Sequence, residues 1–219
     1  MRTFLLSGGS APPAPPGIYV GSGDSITLGS FLLPGESFGD QATDTLAANG
    51  FNVTYFNEGQ SGFRSDQLLP LVATAVTPHF NPSARFKPFH AAANIVVIEW
   101  GTNDLFQGFS EASLRANQQS GVEQVRTAGG FAIIMVPLRC FQGGTPPTYE
   151  PGRIANTAYW LGQVGTGCDG IIAAADDPLF RTATSGGYLG DGLHPNATGA
   201  HAIGANYAYP AIKSIVLAS

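Results

Sequence analysis

Apolar residues fall in short continuous runs along this chain, and the runs alternate with stretches whose apolar positions recur at helical spacing. Ile18-Tyr19-Val20 is a β-rich run that ends in Gly21-Ser22-Gly23. A helix is expected next, capped by Ser37 and running to Asn49, with Gly50 as its stop. Val53 to Phe56 reads as a second strand. Ser65 is placed to cap a helix carrying Leu68, Leu69, Leu71 and Val72, with Pro70 near its first turn. Asn94 to Trp100 contains Ile95-Val96-Val97-Ile98, the clearest buried-strand signature in the chain. Ser110 caps a long helix whose Leu114, Val122 and Val125 share one face, and Gly129-Gly130 ends it. Phe131 to Val136 is a fourth strand and Gly170 to Ala173 a fifth, and Pro195 is expected to open a C-terminal helix. Between the last two strands, Pro137 to Gly167 is rich in Gly, Pro and Thr. It predicts a long loop and one helix around Ala158-Tyr159-Trp160-Leu161.

Apolar strands alternating with amphipathic helices indicate an α/β sandwich on a five-stranded, mostly parallel sheet. Its crossovers should be right-handed. With 219 residues and no internal repeat, one domain over residues 17–219 is expected. Residues 1–16 are set apart as a flexible Pro-rich segment containing Ala11-Pro12-Pro13-Ala14-Pro15-Pro16. Arg2 and Phe4-Leu5-Leu6 resemble the opening of a signal peptide, but the apolar stretch is short for one. A trimmed export signal, a linker remnant and an expression scar all fit. A secreted or periplasmic location is favoured over a cytoplasmic one.

Charge narrows the partners. The chain has only ten Lys and Arg, a net charge of −5 and no basic cluster, which argues against a nucleic-acid partner. No apolar run approaches the roughly 20 residues of a membrane span, so stable membrane insertion is not expected. Oligomeric state is left open. Cys140 follows one predicted strand and Cys168 precedes another, so they lie at opposite ends of a parallel sheet. A disulfide would need the intervening loops to fold back; otherwise both are inert thiols.

Polar segments gather at the predicted strand ends. Gly23-Asp24-Ser25 follows the first strand, Asn57 to Gly62 the second and Gly101-Thr102-Asn103-Asp104 the third. Asp191-Gly192-Leu193-His194-Pro195 follows the fifth. Open α/β sheets bind ligands outside the carboxyl ends of their strands, so these segments converge on one edge. Their chemistry is complementary. Ser25 is a nucleophile that needs a base, His194 can be that base, and Asp191 can fix its tautomer. The amides of Ser25 and Gly62 and the side-chain NH₂ of Asn103 make three donors for an oxyanion. Alone, each segment is an ordinary turn; together they are a site. Asp24 and Asp104 are read as residues that orient loops. Arg64 is a candidate for an acyl or sugar oxygen, or a solvated cation. Trp100 and Phe106 are candidates for core or for the wall of a substrate pocket. His79, His90 and His201 are read as surface or packing residues, and no further ligands suggest a metal site.

These four blocks, in this order, resemble those of the SGNH (GDSL-type) hydrolases and span residues 23 to 195. Ile26 stands where the name-giving Leu would be, an apolar exchange. The resemblance implies a flavodoxin-like three-layer α/β/α fold with no cofactor. It makes Ser25 the nucleophile, Asp191 and His194 the rest of the triad, and Ser25, Gly62 and Asn103 the oxyanion hole. Members cleave esters, thioesters and acyl groups on carbohydrates. A short acyl ester, small or on a polysaccharide, is the expected substrate. A lipase- or lysophospholipase-like hydrolase, with Phe31-Leu32-Leu33 and Phe106 to Phe109 supplying an apolar cleft, is the second reading. A carbohydrate-binding module without chemistry is the third.

Overall fold

The computed structural model describes residues 17–76, 94–181 and 187–218. The Pro-rich segment 1–16, His79 and His90 lie outside them. Five parallel strands form one sheet in the order β2-β1-β3-β4-β5, where β1 is Gly17–Gly23, β2 Val53–Gly59, β3 Asn94–Glu99, β4 Phe131–Met135 and β5 Gly170–Ile172. The sheet is parallel throughout, as the continuous apolar runs predict. Such runs mean burial on both faces, and β3 shows it. Ile95 and Val97 join Tyr19, Phe38, Leu46, Ile133 and Ile212 in one core cluster. Val96 and Ile98 join Leu68, Leu114, Val122, Val125 and Trp160 in the other.

Helices cover both faces. On the first lie α2 (Phe38–Ala48) and, after it in the chain, the C-terminal segment. On the second lie α3 (Ser65–Val76), α5 (Glu111–Thr127) and α6 (Tyr149–Leu161). The predicted cap of α2 is present as a full capping box: Ser37 accepts from Asp40 N–H, and the Asp40 carboxylate accepts from Ser37 N–H. Ser110 caps α5 by accepting from Ser113 N–H. Two short helices follow strand ends directly, α1 (Ser25–Leu28) and α4 (Thr102–Phe106). At four and five residues they carry no readable period.

Several expectations are corrected. Ser65 is the first residue of α3 rather than its cap, and its hydroxyl donates to Asp104. Pro70 lies in the second turn of that helix. Pro195 does not open the last helix. It pairs with Leu189 in an isolated antiparallel bridge, and Asn196 caps α7 (Ala197–Ala202) by accepting from Gly199 N–H. That helix continues through a π-helical stretch, Ile203–Ala208, into α8 (Tyr209–Ala218). The helix expected near residue 160 begins at Tyr149. Both cysteines are free; burial pushes the Cys168 thiol up to about 11. Among the described residues no helix is long and apolar enough to cross a membrane.

Ile98 is fully buried in the sheet centre, whereas Leu217 on α8 is 67% exposed. Ile98→Ala should therefore lower the unfolding free energy by about 2–5 kcal/mol. Leu217→Ala should stay within about 0.5 kcal/mol. Urea midpoints at constant slope measure both.

Candidate active site

Strand order reverses between β1 and β3, which both run beside one another while their chain connections leave in opposite directions. The crevice at such a switch point is where doubly wound sheets place their chemistry. Register makes the site level: Gly23 lies opposite Gly59 on one side and Glu99 on the other. The segments starting at Asp24, Gln60 and Trp100 therefore leave the sheet at one height. They are tied together there, since Gln60 N–H donates to the Gly23 carbonyl and Asn57 Nδ2 donates to the Thr27 carbonyl.

Ser25 is the first residue of α1. Asp24 caps that helix by accepting from Ile26 N–H, so the Ser25 amide sits in the first turn, where helix N–H groups point outward. Gly23 is required by close approach. A Cβ there would fall 2.0 Å from Thr27 Oγ1 and 2.6 Å from Glu99 Oε2. Gly62 is required by conformation, with φ +80°, while the space beside it is open.

The loop carrying Asp191 and His194 is irregular yet firmly held. Gly190 N–H donates to the His194 carbonyl and Asn196 N–H to the Tyr188 carbonyl, closing the loop at its base. At its tip, Phe141 N–H donates to the Gly192 carbonyl. His194 Nδ1 lies 2.8 Å from Asp191 Oδ2, and His194 Nε2 lies 2.9 Å from Ser25 Oγ. Asp191 Oδ1 accepts from the amides of Leu193 and His194, and Oδ2 also accepts from Gln142 Nε2. Partial burial pushes the Asp191 carboxyl up, but the bonds from His194 and Leu193 outweigh it and hold the group below its usual range. An acid so held stays ionised and fixes the Nδ1–H tautomer, leaving Nε2 free to take the serine proton.

Asn103 is brought to the same crevice on α4, but both of its N–H groups are engaged. Nδ2 donates to Asp24 Oδ2 at 3.1 Å and to the Phe63 carbonyl at 3.0 Å. Asp104 accepts from both the amide and hydroxyl of Ser65, orienting loops as expected from the sequence. Arg64 is occupied: it forms an ion pair with Asp66, donates to Gln107 and lies 4.6 Å from the centre of the Phe109 ring. Of its two readings, core or pocket wall, Trp100 takes the first. It is fully buried, donates from Nε1 to Ser22 Oγ and cannot line a substrate pocket. Phe106 is partly buried against the same core cluster as Trp100.

Two participants, Gln142 and Glu99, escaped the sequence, and a third, Phe31, takes a place beside the triad. Gln142 reaches Asp191 only because the loop after β4 folds back across the site. Phe31, 84% exposed, sets its ring 5.1 Å from that of His194, edge to face. Glu99 is fully buried beneath Asp24. Its signal was present, since Glu99 continues the alternation of Ile95 and Val97 into the core. Among the described residues no group of three metal-ligating side chains occurs.

A serine hydroxyl, an imidazole and a carboxylate joined in one hydrogen-bond chain at the carboxyl edge of a doubly wound sheet match the arrangement of a serine hydrolase. Residues 22–202 match the model of the GDSL-like lipase/acylhydrolase family, and the chain belongs to that family as a carboxylic ester hydrolase. Solved structures agree in fold. TesA is 22% identical with a TM-score of 0.69, covering 90% of this chain and 99% of that one. The psychrotrophic esterase EstA from Pseudoalteromonas sp. is 19% identical with a TM-score of 0.67, covering 91% and 98%. The inhibitor-bound aryl esterase of M. smegmatis is 16% identical with a TM-score of 0.66, covering 91% and 99%. No curated protein sequence matches the chain.

Asp191→Asn keeps the shape of the acid but presents a donor or a weaker acceptor to His194. Its kcat should fall by about 10⁴, with KM little changed, in steady-state ester hydrolysis.

Proposed function

We propose that this protein is a serine esterase that forms an acyl-enzyme on Ser25 and takes short acyl groups, including acetyl groups on carbohydrates. The observation that carries the reading is the unbroken hydrogen-bond chain from Asp191 through His194 to Ser25. In this mechanism Ser25 Oγ attacks the ester carbonyl as its proton passes to His194 Nε2. The carbonyl oxygen becomes an oxyanion received by the amides of Ser25 and Gly62 and by Asn103. Collapse breaks the bond to the alcohol oxygen, which takes the proton from His194. Water then attacks the acyl-enzyme, with His194 as base, and releases the acid and free Ser25.

Short acyl groups are favoured by the recess beside Ser25. Ile26, Gly29, Leu32, Phe38, Pro195 and Ala200 line it, and its empty volume is only about 200 Å³. The lipase-like reading draws on a separate observation. Phe31 adopts φ +70°, a conformation costing a bulky residue about 1–3 kcal/mol, and sets an exposed apolar ring next to His194, two residues before the exposed Leu33. Such a ring suits an apolar alcohol or acyl group lying across the surface.

A fluorophosphonate probe should label Ser25, and Ser25→Ala should lose the label and the burst with p-nitrophenyl acetate. Near-normal turnover by that variant would overturn the nucleophile. Across p-nitrophenyl esters of increasing chain length, kcat/KM should fall from acetate onward. A rise toward long chains would decide for the lipase-like reading.

A further inference from the structure

Two carboxyl groups lie directly beneath the nucleophile, both fully buried and neither used in the chemistry above. Glu99 ends β3 and Asp24 begins the turn after β1. Glu99 Oε2 accepts from Asp24 N–H at 3.2 Å and from Thr27 Oγ1 at 3.0 Å. Glu99 Oε1 is buried and takes no donor. Both acids are fully buried, with Glu99 Oε2 on the amide of Asp24, a setting that two ionised groups side by side would not tolerate. Each oxygen of Asp24 already accepts once and keeps a second lone pair: Oδ1 accepts from Ile26 N–H, at the first turn carrying Ser25, and Oδ2 accepts from Asn103 Nδ2.

The geometry points to Asp24 and Glu99 as positioning residues that share one proton, donated by Glu99, and thereby hold the Ser25 turn and the Asn103 amide in place. A proton on Glu99 makes one oxygen of that carboxyl a donor, a role open to the unpartnered Oε1. It also limits the pair to one negative charge beside the place where an oxyanion must form. Two charges there would oppose the transition state at short range and in a buried setting. Burial pushes both carboxyls up, and the charge of Asp24 raises Glu99 further, so Glu99 is the one that keeps the proton. The charged or titratable groups around the pair are His194, Asp104 from α4, Tyr149 from α6 and Tyr55 from β2. Of these only His194 favours a charge on Asp24. The inference rests on Ser25 as nucleophile and Asn103 as an oxyanion donor.

The shared proton is read by infrared difference spectroscopy of the wild-type protein against Glu99→Gln. A neutral carboxylic acid carbonyl stretch, shifted in D₂O, is expected at pH 7 in the wild type and absent from the variant. Its absence from the wild type would overturn the proposal. Positioning is read in kinetics on variants whose melting temperatures show them folded. Glu99→Leu removes the donor, whereas Glu99→Gln supplies a neutral one, so Gln should recover most of the kcat that Leu loses. Equal losses would overturn the role. Asp24→Asn must turn its new NH₂ toward Ile26 N–H or Asn103 Nδ2, both donors. It should lower kcat roughly 10- to 100-fold with KM little changed; a loss confined to KM would overturn the role. Failure of the underlying site reads out separately, as turnover retained by Ser25→Ala. That result would remove the positioning role, while the infrared band decides the proton independently.

Discussion

Parallel pairing puts β1 in register with both neighbours, so Gly23 stands opposite Gly59 and Glu99 and the chain leaves three strands at one height. The rest of the site depends on that common level. A strand displaced by one residue would turn every side chain to the other face and raise or lower its loop by about 3.3 Å. Ser25 and Asn103 come from different strands and reach one crevice only because the register is kept. The glycine at 23 belongs to this constraint, since any Cβ would collide with Thr27 and Glu99 and lift the turn from the sheet.

The same packing creates an electrostatic problem and its solution. Bringing three strand ends together buries Asp24 and Glu99 side by side, in a place where water cannot screen them. Burial alone would make both acids costly to ionise. Yet Asp24 is useful there, because a carboxylate can cap the Ser25 helix with one oxygen and hold Asn103 with the other. Glu99 makes that charge tolerable by keeping its own proton. Asp191 shows the opposite arrangement at the rim. Two amides, an imidazole and the Gln142 side chain surround its carboxylate, and it stays ionised without a partner acid.

Most of the fold was legible because burial on both faces of a parallel strand leaves a continuous apolar run. Ile95 to Ile98 and Phe131 to Val136 could be nothing else at that length. The five candidate site residues could be named because each sits just past such a run or at a short fixed spacing from another. What escaped has physical reasons. Helices α1 and α4 are too short to show a period. Gln142 meets Asp191 across 49 positions of sequence, through loops whose course no local pattern gives. Trp100, beside Asn103, was open to two readings, core or pocket wall. Alternation along β3 carries Val96, Ile98 and Trp100 to the same face, and that period was the better guide. Glu99 follows the other phase, with Ile95 and Val97, so a charged residue in a buried register was visible before any contact was.

Asn103 connects these threads. As an amide with two protons it has, in this state, two acceptors, and an arriving oxyanion would be a third. The bond to Phe63 is to a neutral carbonyl that is part of the loop bearing Gly62, so it ties Asn103 to that loop. The bond to Asp24 is the one whose strength varies with the charge that Asp24 carries. A full, unshared carboxylate would hold the Asn103 proton firmly and compete with the oxyanion for it. An Asp24 already accepting from Glu99 holds it less firmly, close enough to aim the amide and weakly enough to share it. The proton between two buried acids thus acts on the reacting carbonyl through a single side-chain amide, with no contact of its own to substrate.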